Sequence, residues 1–145
     1  MLTKPSVVSN SLEIRGKDNR LAIALIIKKH LKGTPMEGLE NKFTECGIDP
    51  LLLTAIGYEE SRLGLAYSQE FNNLHHNPFG IMAEGLKIFA SWEDSISETC
   101  QIITKISGRG ATNLSMLGAV YTSSPSWSNK VGRIYNQLWS ELETL

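Results

Sequence analysis

Two adjacent carboxylates, Glu59 and Glu60, close the otherwise apolar run LLLTAIGYEESRL just ahead of Gly64. On a helix Glu60 shares a face with Ile56 and Leu53, and Glu59 with Ala55 and Leu52. Either would therefore sit where an apolar floor meets solvent. Desolvation there disfavours the anion and raises a carboxyl's pKa, which suits a general acid at neutral pH. Both rows are apolar, so periodicity does not choose between them, and the plainer reading is two solvated glutamates in a last helical turn. The other chemically suggestive pair, His75-His76, has no Cys or carboxylate at metal-ligand spacing, so no metal and no cofactor are expected.

The elements that would position these groups are mostly helical. From Asp18, Leu21, Leu25, Ile26, His30 and Leu31 recur at the spacing of a core-facing stripe, which Gly33 and Pro35 stop. A short helix over roughly 36–46 ends at Gly47. Asp49 is an N-cap and Pro50 takes the first helical position of the helix that carries the glutamates. Residues 65–91, rich in Asn, His, Gly and Pro, lack a sustained period and read as one long functional loop. Helices resume at Trp92 and run to about Ile106. Thr112 or Asn113 caps a helix through Tyr121, and a last one carries Trp127, Val131, Ile134 and Leu138. The best strand signal is Leu86–Ala90. The fold class is thus mainly α, about six helices around one loop, with residues 1–17 a polar arm and 18–145 a single domain.

Composition narrows the function classes. Fourteen Lys plus Arg against fifteen Asp plus Glu lack the cationic footprint of a nucleic-acid binder. No apolar run approaches the roughly 18 residues of a membrane span; the longest, Leu21–Ile27, is followed by Lys28 and Lys29. The N-terminus lacks the cationic start and apolar core of a secretory signal, so synthesis in the cytoplasm is expected. Cys46 and Cys100 belong to no CxxC or Cys/His cluster and are expected to be free and largely buried.

Four segments, in order, resemble the N-acetylglucosaminidase family of bacterial cell-wall hydrolases, glycoside hydrolase family 73, which includes autolysins and flagellar peptidoglycan-clearing enzymes. They are AIGYEESRLG (55–64), NNL with NPFGI (72–74 and 77–81), FASWEDSI (89–96) and YTSSPSWSNKV (121–131). Members show Glu-Ser-x-x-Gly ending a helix, then Asn-Asn-Leu-Phe-Gly-Ile, an aromatic-led Ser segment and a late Tyr-x-x-x-Pro stretch. The resemblance covers about residues 49–140 and implies a lysozyme-like helical fold. It implies that Glu60, matching the Glu of Glu-Ser-x-x-Gly, is the general acid, and that Glu59 has no catalytic role. Phe79, Gly80 and Ile81 match the cleft wall, where Phe79 would offer an apolar face to a pyranose and backbone groups would bind an acetamido group. Tyr121 matches a tyrosine close to the acid and the acetamido group and is the further catalytic candidate, and Asn73 and Trp127 are further substrate-contact candidates.

Three departures stand out. His75-His76-Asn77-Pro78 is inserted between Asn-Asn-Leu and Phe-Gly-Ile. Arg62-Leu63 replaces a small-then-Trp pair, which would alter the cleft's outer wall. The β-hairpin that carries a second carboxylate in the family is cut to Met82–Ile88, so that lobe is reduced or absent; Glu84 is the candidate second carboxylate and Glu70 the next. The expected function is hydrolysis of the bond between N-acetylglucosamine and N-acetylmuramic acid in peptidoglycan. A lytic transglycosylase or muramidase using the same Glu is the alternative, and a silent glycan-binding or assembly component of a secretion system or virion is the alternative of another class. The chain is expected to be a monomer that reaches the wall through a holin, a secretion machine or a particle, with an immunity protein if it serves as an effector.

Overall fold

The N-cap at Asp49 sets the central helix. Its carboxylate accepts from the amides of Leu51 and Leu52, and Pro50 occupies the first turn where a missing N–H costs nothing. In the computed structural model, which describes residues 13–14, 17–111 and 113–145, this helix is the third of seven. In chain order they are α1 Arg20–Leu31, α2 Glu40–Thr44, α3 Pro50–Ser61, α4 Gln69–His75, α5 Trp92–Gly108, α6 Leu114–Tyr121 and α7 Trp127–Glu143. The expected mainly α class holds. The only strands among the described residues form two small antiparallel pairs, β1 Glu13–Ile14 with β2 Lys17–Asp18 and β3 Met82–Ala83 with β4 Gly85–Leu86. Most of the expected polar arm, and Thr112 as a cap, lie outside the described residues. Asn113 caps α6, accepting from Met116.

Every residue from Pro50 to Gly57 is buried, so α3 is covered on all sides, as a helix apolar all round must be. Gly57 is part of this packing. A Cβ there would fall 2.8 Å from Leu63 Cδ2 and 3.2 Å from Phe79 Cε1. Beyond Ser61 the chain reverses through three consecutive left-handed residues, Arg62, Leu63 and Gly64. Amide bonds from Arg62 to Tyr58 O and from Leu63 to Gly57 O hold the turn, and so does the Gly64 amide on Ser61 Oγ. Leu63 is thereby tucked into the core rather than standing on an outer cleft wall, as its place in the sequence suggested, while Arg62 is exposed.

Around α3, the buried face of α1 is Ile23, Ile26, Ile27 and Leu31. Leu21 and Leu25, expected in the core, are 74% and 51% exposed. The run LAIALII has no polar residue to fix the phase of its stripe, and a series starting at Ile23 fits the helical period equally well. Glu141 on α7 accepts from Lys29 Nζ and His30 Nε2, both at 2.7 Å, and His30 Nδ1 pairs with the Tyr58 hydroxyl at 2.7 Å. Helices α1, α3 and α7 are tied at this point. The helix expected over 36–46 shrinks to α2, because Pro35 and the left-handed Gly38 hold the preceding residues in turns.

Two further expectations are corrected. Residues 65–91 are not one irregular loop, because Ser68 accepts from the Phe71 amide and starts α4. Asn72-Asn73 and His75-His76 masked this helix by looking like breakers. In fact the Asn72 side chain is spent on Gly64 O at 2.8 Å, and His76 is the left-handed C-cap. The cysteines are not free. Cys46, after α2, is bridged to Cys100 on α5, with Cα atoms 5.6 Å apart. No helix among the described residues is long and apolar enough to cross a membrane.

Asp49 is fully buried, and its second oxygen accepts the Tyr135 hydroxyl of α7. Asp49→Ala removes the cap and strands a buried phenol, and it is expected to lower unfolding free energy by about 2–4 kcal/mol in urea titration. A loss under ~0.5 kcal/mol would show that α3 does not depend on this anchor.

Candidate active site

Glu60 leaves α3 where the fully buried part of the helix ends, and it is half-buried. The indole N–H of Trp127, the first residue of α7, donates to its Oε1 at 2.9 Å. Trp127 is only 3% exposed, so it orients the acid from inside the fold and does not present a face to substrate, as had been expected of it. On the other oxygen, Gly80 closes the contact. A Cβ at Gly80 would lie 2.5 Å from Oε2, and φ there is +69°, so both the space and the backbone require glycine.

The electrostatics follow from this enclosure. Burial pushes the Glu60 carboxyl above its ordinary value; the Trp127 hydrogen bond pulls it partly back, and the charge of Glu59 pushes it up again. The proton is retained to higher pH than on an exposed glutamate. Burial, and then the charge of Glu60, raises the phenols of Tyr67 and Tyr121, the latter well above its usual value, so both rings stand within the field of this carboxylate. Glu59 is also half-buried, but Trp127 and Gly80 converge on Glu60.

A second layer fixes the segment that carries Gly80. The Tyr121 hydroxyl donates to Phe79 O at 2.5 Å, and its ring stacks on Trp127 with centroids 5.1 Å apart. Ser61, next to the acid, donates to Pro78 O at 2.7 Å. The buried Asn77 side chain accepts from Ile81 N at 3.0 Å and donates to Ile81 O and Lys87 O at 2.8 and 2.9 Å. Segment 77–81 is thus held at both ends before any ligand arrives.

These contacts revise the roles expected of the loop. The ring of Phe79 is 0% exposed and packs on Phe43 and Gly57, so it cannot stack on a sugar, and its carbonyl serves Tyr121. The amide of Ile81 is given to Asn77, which takes it from the set of acetamido donors. The hydroxyl proton of Tyr121 is likewise given to Phe79 O. Gly80 stays at the carboxylate as expected. Asn73 lies on the exposed side of α4. The inserted histidines are structural in part: His76 Nδ1 pairs with Phe89 O at 2.9 Å and its ring meets Trp92 edge-on.

The reduced hairpin survives as β3 and β4, with register Met82↔Leu86 and Ala83↔Gly85. Glu84 is exposed at its tip, and Glu70 is exposed in the first turn of α4. Neither is among the described contacts of Glu60. A broad groove of about 660 Å³ lies elsewhere, between α2 and α5 beside the disulfide. Its wall mixes Lys42 and Lys105 with Glu45, Glu93 and Asp94, with no oriented acid among them.

Tyr67 was not legible as part of the site. It lies seven residues past Glu60, and only the reversal at 62–64 turns it back. No protein-family model matches the chain, and no curated protein matches it in sequence.

Gly80→Ala tests the closure directly. The methyl must displace the Glu60 carboxylate and adopt a strained backbone, so a melting-temperature loss of several degrees is expected, together with a Trp127 fluorescence change from its altered indole partner. Unchanged melting and fluorescence would show that the two residues are not in contact.

Proposed function

We propose that this chain is a peptidoglycan glycosidase in which Glu60 protonates the glycosidic oxygen on the far side of an N-acetylglucosamine unit. The observation that carries this reading is the single enclosed carboxyl between Trp127 and Gly80, its pKa raised by burial and its side chain only half-buried, so that it can meet a substrate. The sequence resemblance, which supplies the substrate class, points to the same residue.

The chemistry proceeds from this chain's own groups. Glu60 gives its proton to the leaving oxygen as the bond to the anomeric carbon breaks. The resulting carboxylate keeps the Trp127 N–H on Oε1, a charge-assisted bond that strengthens as the anion forms. The same carboxylate then takes a proton from the attacking water. A two-carboxylate route needs its partner about 5–5.5 Å away for retention or 6.5–9.5 Å for inversion. Glu84 and Glu70 are both exposed, unlike Glu60, and the proposal takes the single-acid route, with the substrate's own acetamido oxygen attacking the anomeric carbon. That route is shared with anhydro-forming enzymes, and the products distinguish them. The Cys46–Cys100 bridge suits an oxidising compartment such as the wall side of a membrane.

Wild type, Glu60→Gln and Glu59→Gln should be compared for clearance of purified peptidoglycan, with fragments identified by mass spectrometry. Glu60→Gln keeps an acceptor for Trp127 and loses the proton, so clearance is expected to fall by about two to four orders of magnitude with folding intact. Glu59→Gln should stay within about threefold of wild type. N-acetylglucosamine at the new reducing ends supports the proposal, and muramic or anhydro-muramic ends move the cut to the other bond. Undiminished clearance by Glu60→Gln refutes the assignment of the acid. Folded wild type that binds wall without clearing it points to a silent glycan-binding or assembly role.

A further inference from the structure

The disulfide joins the two stretches of chain that flank the candidate site. Cys46 lies three residues ahead of the Asp49 cap, and Cys100 lies on α5, past the segment that carries Gly80. The loop it closes spans 54 residues and contains both Glu60 and Gly80, while Trp127 and Tyr121 lie outside it. A cross-link restricts how far groups within its loop can separate, so the bridge favours the contact between Glu60 and Gly80.

The bridge also reaches that contact through packing. Helix α2 has five residues, too few to hold a helix alone, and Phe43 is its one buried residue. The ring of Phe43 meets that of Phe79 with centroids 6.1 Å apart. Phe79 fills the space left by Gly57, and the next residue, Gly80, closes on Glu60 Oε2. A short path thus runs from the bridge through Phe43 and Phe79 to the acid. The rest of the fold has anchors of its own. Asp49 accepts from Tyr135, and Glu141 accepts from Lys29 and His30, so α1, α3 and α7 stay tied with the bridge open. Both cysteines line the groove of about 660 Å³ between α2 and α5. Cys46 is half-buried and Cys100 only 3% exposed, so Cys46 is the sulfur that a thiolate can reach.

We propose that the Cys46–Cys100 bridge is a redox switch for the Glu60 site, opened by dithiol reductants and closed where thiols are oxidised. One thiolate of the dithiol attacks the Cys46 sulfur, forming a mixed disulfide as Cys100 leaves. The second thiolate of the reductant attacks that mixed disulfide, forms the reductant's own disulfide and releases Cys46. Two electrons pass to the bridge, and the two cysteines take up the two protons that the dithiol gives up. Opening frees α2 from α5 and loosens Phe43 against Phe79. Gly80 then draws off Glu60, and water reaches the carboxyl. The movement is local, because the bonds that tie α1, α3 and α7 do not pass through the bridge. A wall enzyme with this switch is held back on the reducing side of a membrane and set on the oxidising side. That consequence rests on the glycosidase reading above, whereas the coupling of bridge to carboxyl does not.

The test compares the full chain, oxidised and in dithiothreitol. Thiol alkylation with mass spectrometry scores the bridge, circular dichroism the helices, carbon NMR the Glu60 midpoint, and purified peptidoglycan the activity. In dithiothreitol the bridge is expected to open with helix content kept. The Glu60 midpoint should fall toward the ordinary glutamate range, and clearance should fall about tenfold to a hundredfold. Oxidised glutathione should restore both. A protein with Cys46→Ser and Cys100→Ser should stay in the open form in either medium. Phe43→Leu should lower the midpoint with the bridge intact; if that variant does not fold, the reduced wild type gives the reading. An unchanged midpoint after complete reduction, a bridge that resists dithiothreitol, or melting of the helices on reduction would each overturn the switch. So would a folded Phe43→Leu protein with the wild-type midpoint. Clearance that ignores reduction would overturn it and leave the glycosidase reading standing. A reversible midpoint shift in a protein that never clears wall would uphold the switch and remove the glycosidase reading.

Discussion

A helix that must be buried on every side and still end in an ionisable acid is the constraint around which this molecule is built. From Pro50 to Gly57 α3 offers no solvent face, so α1, α2 and α7 all pack on it, and its end is the place where a side chain can reach water. Burying a carboxylate is costly unless its oxygens are satisfied. Asp49 meets that condition at the helix start with two amides and the Tyr135 hydroxyl. Glu60 meets it only partly, with one indole N–H, and burial leaves its pKa raised. The two carboxyls thus differ by surroundings: Asp49 is held by three donors, and Glu60 by one donor with its pKa raised.

Linkage gives this division a pH signature. Because the Glu60 pKa is raised in the fold, its contribution to stability is complete below the ordinary glutamate range and is lost as pH rises through the raised value. Glu141 behaves in the opposite sense. Burial pulls it up, but the hydrogen bonds and charges of Lys29 and His30 outweigh this and hold it low, so its contribution is lost as pH falls through the lowered value. The ionised form of Glu60 is therefore the one that costs stability.

Much of this was readable from residue types, and the reasons for the misses are physical. Asp49-Pro50 marked the start of α3 because capping is a local interaction, and the mainly α class followed from periodicity. Which glutamate is enclosed was not local. Ile56 and Ala55 make both faces apolar, and the choice is made by Trp127 from 67 residues away and by Gly80. Phe79 was misassigned because a loop phenylalanine after Pro78 gives no sign that Gly57 leaves a hole for its ring. The Cys46–Cys100 bridge spans 54 residues and depends on how α2 meets α5. Helix α4 was hidden by asparagines and histidines whose side chains are used as structural donors and caps.

The most direct test of the central claim is the titration of the Glu60 carboxyl itself, followed by carbon NMR of the ¹³C-labelled protein and assigned through Glu60→Gln. A midpoint above the ordinary glutamate range is the expected result. Replacing Trp127 by Phe should move that midpoint higher still, because the indole hydrogen bond favours the anion. A midpoint at or below the range of an exposed glutamate would contradict the claim, since Glu60 would then be an ordinary solvated carboxylate.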